Sequence, residues 1–189
     1  MAKNVVKCCL VGDAMVGKTA VVKAFLDKEL QPYTPTVFDN YAGQISYEGA
    51  EWTISIFDLP GNHDHRDLRR FAYAESQCFI VFYSSVHRKS FQNVTKFWLP
   101  ELKKYVRRKP LLVLVDTHCE LRNTVTSETD TPVSIEEGFS MTQEIEAVSF
   151  IECGTLSKET SRKIFTDAVI NTVMKRKKKT SKLLNLFKK

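Results

Sequence analysis

The chain has 189 residues, 43% of them hydrophobic, and a formal net charge of +6. That length and apolar fraction supply one good core, so one domain over residues 1–174 with a tail over 175–189 is the expected organisation. No apolar run approaches the roughly 18–20 residues that span a bilayer, and the start Met1-Ala2-Lys3-Asn4 has neither a signal-peptide core nor a myristoylation glycine, which predicts a protein kept in the cytosol. The positive charge does not point to nucleic acid, because residues 175–189 hold eight Lys or Arg and no acid, leaving the rest of the chain slightly acidic.

Short β-rich runs alternate with segments of helical period. Val5–Val11 reads as a strand and Lys18–Leu26 as a helix. Gln44–Tyr47 and Trp52–Phe57 read as strands joined by the Tyr47–Glu51 turn in an antiparallel edge hairpin. Phe79–Ser84 (strand), Phe91–Val106 (helix), Leu111–Val115 and Ser149–Glu152 (strands) and Ser157–Met174 (helix) follow. This rhythm predicts an α/β fold with a mostly parallel, six-stranded sheet and helices on both faces. Residues 122–134 are polar apart from two valines and read as a surface loop. Each of the five cysteines, Cys8, Cys9, Cys78, Cys119 and Cys153, lies in or beside a strand-like run, which favours core thiols over a metal site or disulfides.

Between the first strand and first helix stands Gly12-Asp13-Ala14-Met15-Val16-Gly17-Lys18-Thr19, matching G-x-x-x-x-G-K-[ST] in the strand-to-helix context the motif requires. Glycine allows the tight turn, backbone N–H groups and the helix N-terminus face phosphates, Lys18 adds a point charge, and the Thr19 hydroxyl suits Mg²⁺. A glycine-bearing turn with no ligand is the competing reading.

Downstream come Pro35-Thr36-Val37-Phe38-Asp39-Asn40-Tyr41 and Phe57-Asp58-Leu59-Pro60-Gly61, and with the loop above they resemble Rho-family small GTPases over about residues 5–174. Phe57, Tyr41-Ala42 and Ser90-Phe91-Gln92-Asn93-Val94 look most like the cell-division-control branch, with Rac close behind. The resemblance implies GTP or GDP and Mg²⁺ as ligands. It assigns nucleotide contacts to Gly12, Asp13, Ala14, Val16, Gly17, Lys18, Thr19, Ala20, Leu30, Thr36, Gly61, Thr117, His118, Glu120, Gly154 and Thr155. Thr19 and Thr36 would ligate magnesium, and Asp58 would hold one of its waters. Val37, Phe38, Asp39, Asn40 and Tyr41 would face Rho-type effectors, one class of which adds a strand to the edge at Gln44–Tyr47. Exchange factors are also implied; a monomer with no nucleic-acid partner is expected.

Departures from the family pattern fall on two functions. For hydrolysis, Ala14 replaces the usual glycine and Asn62 the usual glutamine, whose task is to orient the attacking water. Asn62 carries the same amide on a stem one methylene shorter, falling short by about 1.5 Å. Pro60 replaces alanine and stiffens the segment. For base recognition, Thr117-His118-Cys119-Glu120 stands where Thr-Lys-x-Asp or Thr-Gln-x-Asp is expected, Cys153-Gly154-Thr155-Leu156 replaces Cys-Ser-Ala-Leu, and Leu30 aligns with a base-flanking aromatic. A bidentate base contact and a base–aromatic stack are each worth about 1–3 kcal/mol, so losing most of both costs on the order of 10²- to 10⁴-fold in affinity. The expectation is weakened but retained binding, fast exchange, slow hydrolysis and a largely GTP-loaded protein. A scaffold of the same fold with no nucleotide cycle is the alternative.

Arg122–Pro132 lies where Rho proteins carry a short extra helix and lacks its helix-forming charges. The chain ends Leu186-Phe187-Lys188-Lys189 without a prenylation box. Lys175–Lys179 followed by Leu183, Leu184, Leu186 and Phe187 predicts reversible binding to an anionic membrane, at the plasma membrane or an endomembrane. A solvated tail and a nuclear-import signal are the other readings.

Overall fold

The computed structural model describes residues 4–29, 36–62, 64–124, 131–154 and 157–186, with side chains to residue 178. Leu30, Pro35, Thr155, residues 125–130 of the surface loop and Phe187 therefore lie outside the described residues. Six strands form one sheet in the order β2-β3-β1-β4-β5-β6. They are β1 (Val5–Val11), β2 (Asp39–Tyr47), β3 (Ala50–Asp58), β4 (Cys78–Ser84), β5 (Leu112–Thr117) and β6 (Ser149–Cys153). Only β2 runs antiparallel, paired to β3 from Asp39↔Asp58 to Tyr47↔Ala50; every other pairing is parallel. The mostly parallel sheet with one edge hairpin is thus as expected.

Burial follows topology. Every residue of β4 and β5 is buried, as central parallel strands covered on both faces require. On one face, Val6, Cys8 and Leu10 pack with residues of α1 (Lys18–Phe25) and α6 (Lys158–Leu186). On the other, Cys9 and Val11 join Ala72 and Tyr73 of α2 (Arg66–Glu75), Leu102 of α4 (Leu99–Tyr105) and Met141 of α5 (Ile135–Glu144). Edge strand β2 buries few residues, Ile45 among them, and leaves Asp39 and Asn40 exposed. Cys8, Cys9, Cys78 and Cys153 are core thiols. Cys119 is only half buried, because it sits in a 3₁₀ turn (Cys119–Leu121) past the end of β5.

Four helical features depart from the sequence reading. Helix α2 and helix α5 were not anticipated, although α5 opens on a complete capping box: Glu137 N–H donates to Ser134 Oγ and the Ser134 N–H donates to Glu137. The segment expected as one helix over Phe91–Val106 begins earlier, as α3 (Arg88–Asn93), and reaches α4 through a π turn, Val94–Trp98. Pro100 explains that turn: it lacks an N–H and its ring crowds the carbonyl four residues back, so the preceding turn widens. Helix α6 continues twelve residues past Met174, through the basic run to Leu186.

Candidate functional site

The C-terminal ends of β1, β3 and β4 meet where the strand order reverses on either side of β1, the usual place for a ligand crevice in an open α/β sheet. The loop from β1 to α1 fills it. Gly12 has φ 145°, and a Cβ there would lie 2.5 Å from the Phe82 carbonyl oxygen; Gly17, at φ 84°, closes the turn and caps α1. Both positions therefore demand glycine. Val16 is buried and Ala20 half buried beside them, which fixes the start of α1 against the sheet.

Lys18 is buried and curls back over the loop, donating to the carbonyls of Gly12 at 2.8 Å and Asp13 at 2.7 Å. Burial pushes its ammonium down to about 8, opposed by Asp58 and Asp13. Such a cation, short of water and set at the head of α1 beside the loop, is suited to a phosphate. The Asp13 side chain points elsewhere: its carboxylate accepts from Trp98 Nε1 at 2.7 Å and Asn93 Nδ2 at 2.6 Å. Asp13 therefore ties the loop to α3 and the π turn, leaving only its backbone for a ligand.

Thr19, Thr36 and Asp58 converge beside Lys18. Thr19 Oγ1 donates to Asp58 Oδ2 at 2.5 Å and lies 3.0 Å from Thr36 Oγ1. Asp58 is fully buried and its other oxygen, Oδ1, has no hydrogen-bond partner. Burial holds its carboxyl above the usual carboxylate range, against the Thr19 hydrogen bond and Lys18. Two hydroxyls and a carboxylate with an orphaned oxygen form a hard oxygen donor set that fits Mg²⁺, and a divalent cation would supply the missing partner.

Gly61 packs directly on the phosphate loop; a Cβ there would fall 2.2 Å from Ala14 N and 2.6 Å from Asp13 O. Asn62 is exposed, and its backbone carbonyl accepts from Arg69. Arg69 is the residue that sequence reasoning missed here. Its guanidinium is 1% exposed and donates to Glu101 in bidentate fashion at 2.7 and 3.0 Å, and to the Pro60 carbonyl at 3.4 Å. The Pro60–Asn62 segment is thereby fastened to α4.

The opposite wall is built by the turn after β5. Thr117 is buried, its hydroxyl facing the carbonyls of Val16 and Tyr83 at 3.0 and 2.9 Å. His118 adopts φ 57° and places Nδ1 3.0 Å from Ser84 Oγ; its Cε1 lies 3.8 Å from where a Gly17 Cβ would stand. The imidazole thus lies against the phosphate loop. Glu120 Oε2 comes within 3.3 Å of a Cβ built on Gly154, so the carboxylate leans over that glycine.

Behind this wall lies a cluster the sequence did not announce. Buried Asp116 accepts from Ser85 Oγ at 2.5 Å and Arg122 Nη2 at 2.7 Å, and Arg122 also reaches Glu152 at 2.7 Å and the Val133 carbonyl at 2.8 Å. Arg122 therefore clamps the end of the turn that carries Glu120. Burial raises the Asp116 carboxyl to about 6 despite Ser85 and Arg122. A carboxyl raised above its ordinary value of about 3.9 contributes stability that is fully present below about pH 4 and lost as pH rises through about 6. The stability of the parent relative to Asp116→Asn should accordingly fall by roughly 2–3 kcal/mol between pH 4 and pH 7, read by urea unfolding at each pH.

The surface beside the crevice is apolar. Val37 is 71% exposed, Phe38 37% and, on α2, Phe71 70%. Asp39 and Asn40 are exposed, and Tyr41 is half buried beneath Lys28, whose Nζ is 5.2 Å from the ring centroid.

A sequence profile of the Ras family matches residues 7–175. The chain is a Ras-family small GTPase. It is also 35% identical to the Ras-like GTP-binding protein RhoL of Drosophila melanogaster over 177 residues, covering 93% of this chain and 90% of that protein. Members of this family bind GTP and GDP, generally with Mg²⁺, and act as signalling switches that engage effectors and exchange factors. The small GTPase so identified has no described helix long and apolar enough to cross a membrane.

Proposed function

We propose that this GTPase is a Rho-type switch with fast nucleotide exchange and slow hydrolysis, held largely in the GTP form. In that form Val37–Tyr41 and the open edge of β2 would engage effectors of actin organisation, polarity or membrane traffic. Its basic tail would meet an anionic membrane. The observation that carries this reading is a contrast within one site. Lys18, Thr19, Thr36 and Asp58 converge as a phosphate and magnesium set needs, while Ala14, Asn62, His118 and Glu120 depart from the family pattern. A scaffold indifferent to nucleotide has no use for the convergent set, which favours the switch.

Base recognition gives the test. Glu120 reaches over Gly154 on a stem one methylene longer than the aspartate that pairs with guanine in this family. Shortening it by Glu120→Asp should restore part of a bidentate contact worth about 1–3 kcal/mol, slowing release of a fluorescent GDP analogue on the order of tenfold. Release at the parental rate would remove Glu120 as a cause of fast exchange.

A further inference from the structure

A second basic run lies far from the nucleotide site. Lys103, Lys104, Arg107, Arg108 and Lys109 are all exposed, at the end of α4 and in the loop before β5. This loop sits where the parallel strands begin, whereas the phosphate loop sits where they end, a strand length or about 20 Å away. Helix α6 starts at the nucleotide end and runs back along the sheet, so that about 25 Å on it delivers Lys175 to the same end as the loop. There Lys175 Nζ donates to the Lys109 carbonyl at 2.9 Å. Arg176 donates to the Val5 carbonyl at 2.8 Å and to Gln77 at 2.6 Å, and lies 5.9 Å from the Trp52 ring centroid. The start of the basic tail is therefore docked on the domain, beside the second run.

We infer that the α4–β5 loop and the basic end of α6 form one docking face for an anionic lipid surface, which holds the nucleotide crevice and Val37–Phe38 turned away from the membrane. This rests on the reading of residues 175–189 as membrane-directed, and adds to it a second contact and an orientation. Three acids at this end are offset by lysines, Glu48 by Lys177, Glu75 by Lys7 and Glu146 by Lys109; Glu51, which accepts from Ser46, and exposed Glu144 keep their charge and are outnumbered by the remaining basic residues. Lys103, Lys104, Arg107 and Arg108 appear in none of these pairs. Lipid is favoured over nucleic acid because the basic run leads into Leu183, Leu184, Leu186 and Phe187, apolar residues that an acyl boundary accommodates and a phosphate backbone does not. Each basic residue held near an anionic leaflet strengthens binding by roughly fivefold, so two contacts that act together are separable by charge reversal.

The test uses the full chain and sedimentation with vesicles of phosphatidylcholine and phosphatidylserine. One variant carries Lys103→Glu, Arg107→Glu and Arg108→Glu, and another carries Lys178→Glu, Lys179→Glu and Lys182→Glu. Each should partition at least about tenfold more weakly than the parent, while Arg107→Lys with Arg108→Lys binds as the parent does. Weakening by the tail variant alone would overturn the second contact and leave the tail reading intact; weakening by neither would overturn both. Equal affinity for an RNA oligonucleotide would overturn the assignment to lipid. Hydrogen exchange on the parent gives an independent readout: vesicles should protect amides of residues 104–109 and spare those of 12–19. Unprotected amides at 104–109 would contradict the shared face even if the variants misfold.

Discussion

Replacing Ala14 by glycine and Asn62 by glutamine together should accelerate single-turnover GTP hydrolysis roughly a hundredfold. Hydrolysis by this fold depends on placing a water, and a displacement of about 1 Å is enough to lose that much rate. Asn62 offers the required amide on a stem too short by about that distance. Its backbone cannot move inward to compensate, because Arg69 holds the Pro60 and Asn62 carbonyls and Gly61 already touches the phosphate loop at Ala14 and Asp13. Relief therefore has to come from the side chains: glutamine to reach the water, and glycine at 14 to clear the methyl. The rate is measured by phosphate release from pre-loaded protein, with Asn62→Gln alone expected to gain less than the pair. A double variant as slow as the parent would show that the block lies elsewhere in the site.

Breaking the buried pair at Arg69 should be the most damaging single change to stability. Arg69→Ala leaves the Glu101 carboxylate, whose side chain is 5% exposed, with Tyr73 Oη at 2.8 Å and Arg66 at 3.6 Å as its partners among the described residues. Removing one partner of a buried ion pair costs about 3–5 kcal/mol, whereas replacing both with apolar groups of similar size is often neutral. Urea unfolding of the nucleotide-bound protein should show that loss for Arg69→Ala and substantial recovery in Arg69→Met with Glu101→Leu. Equal loss in the single and double variants would mean that stability depends on the charges themselves, not on leaving one unpaired. Because Arg69 also holds the segment from Pro60 to Asn62, the double variant should free that segment, seen as faster amide exchange there.

The parts of this architecture that were legible in the sequence are those written in contiguous residues. The phosphate loop is a single eight-residue pattern bounded by a strand and a helix, and Val5–Val11 is the strand it calls for. The edge hairpin was recognised by its turn, but β2 begins five residues earlier than its apolar pattern does. Asp39, Asn40 and Ala42 are exposed and Tyr41 is only half buried, so this stretch carries little apolar alternation to read. Helix α2 was hidden for a related reason: it buries only Arg69, Ala72 and Tyr73, and its chief anchor is a charged residue. Helix α5 did carry a signal, Ser134 three residues before Glu137, ahead of a short apolar stripe.

What no local pattern could supply are the contacts that pin the site. Asp13 meets Asn93 and Trp98 eighty or more positions away, Arg69 meets Glu101 thirty-two positions away, and Arg122 joins Asp116 to Glu152 across two strands. Each becomes visible only once the strand order puts those elements side by side. The extent of α6 is a further instance. The composition of residues 175–182 reads as a charged tail, yet helical geometry continues through it, and Lys175 and Arg176 bind backbone carbonyls at the far end of the sheet.

The most direct test of a switch held in its active form is the nucleotide the protein carries. The chain is purified without added nucleotide, denatured, and the released ligand identified by chromatography. Near-stoichiometric nucleotide that is mostly GTP is the expected result. Protein that is empty, and that fails to bind GTP in the presence of Mg²⁺, would contradict it.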